Sequence, residues 1–451
     1  MVPQDRNYDG QRLGLGWMVV LSLLVGIVLP SRTSAQESPP PLTLKQSIDM
    51  ALERNLQVQV ALEEVEAARQ RQNETRTGFL PKFKAEYGYR RPSEVPTITI
   101  GGSRITSGDQ DQYRFTGTVE QPLFTGFATL STYELSRLGL DVAKIQLART
   151  RLDLIFQVKE AYFGILSAEK IREVAEQSVH QLQAQLEVAE NFYRVGMSPK
   201  IDVLEAEVRL AEAQQELIRA ANKLRLAKAR FNTILRRSVD SPVEVEDILS
   251  SKAYERTYES SQGVALKRRP ELFEAEKNVA SAEKEIILVK SDYYPTVSVS
   301  ANYNRAGDDA TVDGSPFVDR ENWDVVAEAS MNLFEWGKTR YAVSQRRVRL
   351  RQARQALEQI KDSISLEVKD AFLSLEAAEK NIAVAKKGVE SAEENFRISK
   401  ERYREQVATA TEVLDAQTRL TQARTNYTNA LVDFNVAEAR LLRAMGLGEE
   451  S

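Results

Sequence analysis

Two hydrophobic periods alternate along the chain. Over long stretches apolar positions recur every three and then four residues. The series runs unbroken through Val203, Ala206, Leu210, Ala213, Leu217 and Ala220, and again through Val413, Ala416, Leu420, Ala423, Tyr427 and Ala430. This is coiled-coil spacing, and a large side chain alternating with alanine lets helix backbones approach while each large residue fills a hole. The stretches near 127–196 and 338–405 predict uninterrupted helices of about 70 residues, roughly 105 Å long at about 1.5 Å per residue. Helices in compact domains average about 11–12 residues, so an elongated molecule is expected, and the helices alone leave a coiled-coil rod open.

Four segments change to period two. Phe83, Ala85, Tyr87 and Tyr89 alternate with Lys82, Lys84, Glu86 and Arg90, and Tyr113, Phe115 and Val119 alternate with Gln112, Arg114, Thr116 and Thr118. Val297, Val299, Ala301 and Tyr303 alternate with Thr296, Ser298, Ser300 and Asn302; Trp323, Val325, Ala327 and Ala329 follow the same rule, with Val326 the exception. Such alternation with aromatics near the ends fits strands that face lipid on one side and water on the other, although a half-buried soluble sheet has the same pattern. The expected lipid-facing residues are Phe83, Tyr87, Tyr89, Tyr113, Phe115, Val297, Val299, Tyr303, Trp323 and Val325. Four strands cannot close a barrel, and lipid does not tolerate an open sheet edge. Two chains would supply eight strands, a barrel filled by its own side chains, whereas three supply twelve and leave a lumen, so a trimer is the simplest arrangement with a pore. Loops near 92–110 and 305–320 then lie on one side of the membrane and all helices on the other.

The chain is also one unit written twice. A shift of 210 residues aligns QVKEAYF (157–163) with EVKDAFL (367–373) and IDVLEAEVRL (201–210) with TEVLDAQTRL (411–420); over 203–230, 10 of 28 positions are identical. A shift of 214 aligns FLPKFKAEYGY (79–89) with YYPTVSVSANY (293–303). Each half reads helix, strand, loop, strand, long helix, turn, helix. The expected organisation is a first repeat at 36–236, an irregular linking segment at 237–264, a second repeat at 265–446 and a tail at 447–451. The expected fold is mainly α with a membrane β-barrel: long antiparallel hairpins forming a helical tunnel, plus four strands per chain.

Composition narrows the chemistry. The chain holds 61 Lys+Arg against 65 Asp+Glu, no cysteine and one histidine. Disulfides, thiolate catalysis and Cys- or His-built metal sites are excluded, no overall basic field points to nucleic acid, and no cofactor or enzymatic site is expected. His180 and the basic run 346–354 read as solvated or interhelical faces. Residues 13–29 are almost wholly apolar, Arg6 and Arg12 precede them, and Thr33-Ser34-Ala35 offers small residues at a cleavage spacing. A signal peptide at 1–35 is expected, with an uncleaved anchor as the alternative.

With these patterns in hand, the sequence resembles the TolC family of outer-membrane efflux channels over roughly 42–446. The match is most specific at FYRVGMSPKIDVLEAE (192–207), where a Tyr-x-x-Gly…Asp-Val-Leu-x-Ala signature marks a helical hairpin tip; RYREQVATATEVLDAQ (402–417) is its second copy. The resemblance implies a trimer whose 12-stranded barrel continues as a helical tunnel, located in the outer membrane and working with a periplasmic adaptor and an inner-membrane pump of ABC, RND or MFS type. It implies docking of the adaptor at Arg194, Val195, Gly196, Met197 and Ser198, where a plain αα-turn is the bland reading. It also places Tyr403, Glu412 and Asp415 at a closed entrance. Asp202 and Glu205 share one helix face just inside the first tip, as Glu412 and Asp415 do at the second. Repeated around a threefold axis these would form cation-favouring rings, and singly they would only complement helix N-termini. Three expectations concern the tips: Gln406 in place of Gly196 should change the second turn, Ser198 and Asp202 should cap the returning helix, and no basic partner stands near Ala408 to hold the entrance by salt links.

Overall fold

The computed structural model describes residues 41–251 and 257–448; the expected signal peptide lies outside the described residues. The two copies appear with matching elements. The first runs α1 (Leu44–Arg54), α2 (Leu56–Thr77), β1 (Lys82–Arg90), a hairpin of β2 (Thr97–Ile100) and β3 (Ser103–Thr106), β4 (Gln112–Thr125), α3 (Ala128–Arg194) and α4 (Lys200–Ile234). The second runs α5 (Tyr258–Arg268), α6 (Pro270–Lys290), β5 (Thr296–Gly307), β6 (Glu321–Ser330), α7 (Lys338–Arg404) and α8 (Ala410–Ala444). Both α3 and α7 contain 67 residues, about 100 Å of helix, and both α4 and α8 contain 35.

Local chemistry sets the breaks. Thr43 and Gln46 form a capping box on α1, and the Asn55 side chain accepts from the Gln57 amide to start α2. The equivalent break in the second copy is Arg269-Pro270, with proline at the first turn of α6, where its missing N–H costs nothing. At the strand-to-helix corner Gly126 has φ +61°, and a Cβ there would sit 2.5 Å from the Ser291 carbonyl, so only glycine fits. Helix α5 starts at Tyr258, so the stretch expected to be irregular up to 264 contains about two helical turns. The β2–β3 hairpin, not anticipated above, closes on Gly101 (φ +61°) and Gly102 (φ +86°), a turn that only Gly-rich pairs make readily.

The main sheet has the order β1-β4-β5-β6, all antiparallel. Its register places Tyr87 opposite Phe115, Tyr89 opposite Tyr113 and Tyr303 opposite Trp323, so the ten residues expected to face lipid share one surface. The other surface is polar and cross-linked. Thr116 donates to Asn304 (2.9 Å), which donates to Asn322 (3.1 Å); Thr118 donates to Asn302 (3.0 Å), which donates to Asp324 (3.0 Å). A bulge between Pro122 and Phe124 accommodates the proline that a regular ladder would reject.

Below the sheet the helices are also four across. At the upper level α2 packs on α3, α3 on α6 and α6 on α7; toward the tips the order is α4, α3, α8, α7, with α4 also touching α8. Every level therefore ends on a first-copy element (β1, α2 or α4) at one side and a second-copy element (β6 or α7) at the other. These edges are bare. Phe83 and Trp323 are 78% and 76% exposed, and a heptad series on α4 (Ile201, Leu204, Val208, Ile218) stays 44–70% exposed.

Two buried regions hold the helices where α1 and α5 cross them. One gathers Val58, Leu154, Val158, Tyr162, Ile165 and Phe231; the other gathers Val368, Leu375, Phe434, Leu441 and Met445. The Tyr162 hydroxyl lies 3.0 Å and 2.9 Å from the carbonyl oxygens of Leu42 and Glu246, fastening the segment before α1 to the linking segment. Burial pushes its pKa up to about 12. Between the two regions six charged side chains alternate in a closed ring. Arg149 meets Asp153 (3.9 Å), Asp153 meets Arg443 (2.8 Å), and Arg443 meets Glu367 (2.5 Å); Glu367 meets Arg269 (2.7 Å), Arg269 meets Glu271 (2.9 Å), and Glu271 returns to Arg149 (3.5 Å). Burial opposes the Arg443 charge, but the hydrogen bond it donates to Asp153 and the neighbouring carboxylates hold its pKa above the ordinary arginine value.

Candidate functional site

The hairpin tips concentrate the sequence signals, and their geometry follows from two turns of the same build. In the first, the Met197 amide donates to Phe192 O (2.8 Å) and the Gly196 amide to Tyr193 O (3.0 Å), with Gly196 at φ +79°. In the second, Val407 donates to Arg402 O (2.8 Å) and Gln406 to Tyr403 O (3.0 Å), with Gln406 at φ +59°. Both are Schellman turns that satisfy the last carbonyls of the long helix. The expectation that Gln406 would change the turn is thus corrected: a non-glycine residue takes the left-handed conformation at a cost of about 1 kcal/mol, and the two hydrogen bonds outweigh it.

The capping expectation is corrected as well. Pro199 occupies the N-cap of α4, and among the described residues no side chain caps that helix and the buried Ser198 hydroxyl has no hydrogen-bond partner. Its counterpart in α8 is Thr409, whose hydroxyl accepts from the Glu412 amide at 3.3 Å. Serine stands one residue too early, and proline has no side-chain acceptor for the position where the cap is needed.

Arg194, Val195, Gly196 and Met197 are exposed at the end of the first hairpin, and Ser198 is half-buried. Val195, Met197 and, on the second tip, Val407 put 65%, 55% and 67% of their surface into solvent. Tyr403 lies inside the tip, packed with Val188, Phe192, Phe396, Ala410 and Val413, its ring centroid 5.5 Å from that of Phe192. Its hydroxyl has no hydrogen-bond partner among the described residues. Burial raises its pKa, and the nearby Asp202 charge raises it further. Burial likewise raises the Asp202 pKa, helped by the Glu205 charge one helical turn on.

The four acidic residues come together in pairs, but their partners were missed by sequence reasoning. Glu412 meets Arg402 at 3.6 Å across the second hairpin, and Asp415 meets Arg209 of α4 at 3.6 Å. Thr411 donates to Glu205 at 2.8 Å. Salt links therefore do exist at the tip, made by Arg402 and Arg209 in place of a basic residue at Ala408, and two of these three contacts tie the first hairpin to the second. No local motif announces Arg209, two turns into α4; only the packing of α4 beside α8 brings it to Asp415. Between those two helices runs a groove lined by Ile201, Leu204, Val208, Thr411 and Leu414. Among the described residues no group of acidic, His or Cys side chains has the arrangement of a metal site.

Comparison with known proteins agrees with this architecture. The profile of the outer membrane efflux protein family matches residues 47–235 and 263–447. The alkaline protease secretion protein AprF of Pseudomonas aeruginosa is 28% identical over 316 residues, covering 67% of this chain and 63% of AprF. The solvent efflux pump outer membrane protein SrpC of Pseudomonas putida is 24% identical over 295 residues, covering 65% of this chain and 61% of SrpC. The alignments thus span less than two thirds of these relatives. The solved structure of CusC superimposes with a TM-score of 0.80 at 18% identity, over 90% of this chain and 92% of CusC, and shows the same fold. With matched segments covering both sequence copies, the chain belongs to the outer membrane efflux protein family.

Proposed function

We propose that three copies of this chain form a passive duct across the outer membrane. The observation that carries the reading is the pair of open edges. A sheet apolar on one face and polar on the other stands on a helical layer of equal width, and each level ends on a first-copy element at one side and a second-copy element at the other. Joining β6 to the next copy's β1, and α7 to the next copy's α2 and α4, closes both layers by one rotation, a head-to-tail contact of the kind that makes rings. Twelve strands leave a lumen lined by the Asn, Thr and charged face.

In this reading Asp202, Glu205, Glu412 and Asp415 line the far end and favour cations, with Tyr403 packed behind them. The exposed Val195, Gly196 and Met197, flanked by Arg194 and Ser198, meet a periplasmic adaptor. An inner-membrane pump supplies the energy, because the sequence carries no phosphate-binding glycine loop. The protein-secretion and solvent-efflux roles in the names of AprF and SrpC fit such a duct.

Single-channel recording of the purified protein in a planar bilayer tests the reading. Discrete conductance steps from a heat-dissociable trimer are expected. A folded trimer that stays silent even after protease trimming of both tips would overturn it.

A further inference from the structure

Helix α7 begins directly beneath β6 with an unusual charge pattern. Between 338 and 357 it holds seven cations and no acid. Arg346 and Arg354 pair with Glu285 (2.6 Å) and Glu283 (2.9 Å) of α6, and Lys338 pairs with Glu335 (3.2 Å). Arg340, Arg347 and Arg351 are exposed and form no ion pair among the described residues. With Arg354 they stand at i, i+7, i+11 and i+14, one helix face. Immediately before them Leu333 and Trp336 are 88% and 87% exposed, and Phe334 stacks edge-on against Trp336 at 4.9 Å.

The sheet's hydrogen bonding tells which way that face points. The Ala306 amide donates to Arg320 O at 3.2 Å, so even-numbered residues of β5 turn their amides toward β6. For L-residues on a rising strand whose even side chains point to the lumen, this places β6 to the left of β5 as seen from outside. Helix α7 therefore descends with α6 on its right, facing Thr339, Val343 and Leu350. Residues of a right-handed helix advance clockwise viewed from its start, by about 100° each, which turns Arg340, Arg347 and Arg351 away from the lumen. The same construction turns Tyr341, Val348 and Leu366 toward the neighbouring copy's edge, leaving the arginine face free when the ring is closed.

We propose that this face binds anionic phospholipid headgroups of the leaflet next to the helices, with Leu333, Phe334 and Trp336 seated at the hydrocarbon boundary and the guanidinium groups paired with lipid phosphate. The inference rests on the sheet lying in a membrane, as proposed above. Charge and continuity select the ligand. The stripe begins where the lipid-facing surface ends, Arg340 lies within the first helical turn, and Arg347, about 14 Å below the helix start, reaches up along its side chain. Guanidinium is the group that matches phosphate oxygens in paired hydrogen bonds. Arg351, about 20 Å below the helix start, lies beyond a Debye length of roughly 8 Å and adds little, and Arg354 is already paired with Glu283.

The experiment is native mass spectrometry of the full-length protein released from phosphatidylcholine nanodiscs doped with phosphatidylglycerol. Failure to insert would overturn the membrane reading itself. For inserted protein, preferential retention of phosphatidylglycerol is expected, with a drop of about tenfold or more in Arg340→Gln/Arg347→Gln and little change in Arg340→Lys/Arg347→Lys. Equal retention of the two lipids, as for a stripe that serves an acidic protein instead, or a preference unchanged by the glutamine pair, overturns the inference. Loss of the wild-type preference on adding inorganic phosphate would identify a free anion as the ligand and overturn the lipid. Should the glutamine pair fail to trimerise, the wild-type preference decides alone: decline with added salt supports the site, and indifference to salt overturns it.

Discussion

Ion pairs join helices at two heights in this molecule, and burial separates what they do. Midway down, the ring of Arg149, Asp153, Arg443, Glu367, Arg269 and Glu271 binds α3, α6, α7 and α8, with the Arg269 and Glu271 side chains only 5% and 15% exposed. At the tips, Arg402–Glu412 ties α7 to α8 within the second hairpin and Arg209–Asp415 ties the first hairpin to the second, through side chains 40–52% exposed. The Arg269 charge cannot return to water when its partner leaves, so breaking the ring there costs several kcal/mol, whereas an exposed pair contributes about 0–1 kcal/mol. The same chemistry therefore makes a fixed girdle and a releasable clasp. In the proposed duct, the girdle holds the upper helices while the tips move.

Glu367→Gln separates the two regions most strongly. It removes the charge shared by Arg269 and Arg443 and is expected to destabilise the protein by about 2–3 kcal/mol, read as a lowered thermal midpoint, with ion selectivity unchanged. Loss of selectivity with an unaltered midpoint would reverse the assignment of girdle and clasp. Glu412→Ala/Asp415→Ala should do the opposite, abolishing most of the cation preference in bilayer recordings while shifting stability by less than about 1 kcal/mol.

The tip's pH response is sharper still as a test of location. Because burial raises the folded-state pKa of Asp202 above its ordinary 3.8, the stability it contributes is present below that value and is lost as pH rises through the raised one. Asp202→Asn should flatten the dependence of melting on pH in that window, and remove the part of the cation preference that appears there. A wild-type pH profile retained by Asp202→Asn would show that other carboxylates set it. The smallest expected effects compare the two turns. Gly196→Ala places a side chain at φ +79° and should cost about 1 kcal/mol, whereas Gln406→Gly should gain a fraction of that; differential melting of the paired variants checks the sign.

Much of this was legible in the residue pattern. The 3-4 spacing through Val203 and Val413 and the alternation through Tyr87 and Tyr303 specify helix and strand because each buries one face at its own period. The β2–β3 hairpin also carries a readable signal, ThrIleThrIle-Gly-Gly before Ser103, too short to span a membrane. The tip partners were not legible. Arg209 and Asp415 are 206 residues apart, and Arg402 reaches Glu412 only across a turn in which Gln406 takes the left-handed conformation that favours glycine. The failed cap at Ser198 shows the same limit, since moving a hydroxyl by one residue takes it from the helix's orphan amides into a buried site without a partner.

By itself, then, the sequence determined the repeat, the element types and lengths, and which face of each element is apolar, all of which are local periodicities. Tertiary structure decided which elements are neighbours, where bare edges fall, and which charges meet. Those depend on side chains from elements far apart in the chain reaching within a few ångströms of one another, and no local period encodes that distance.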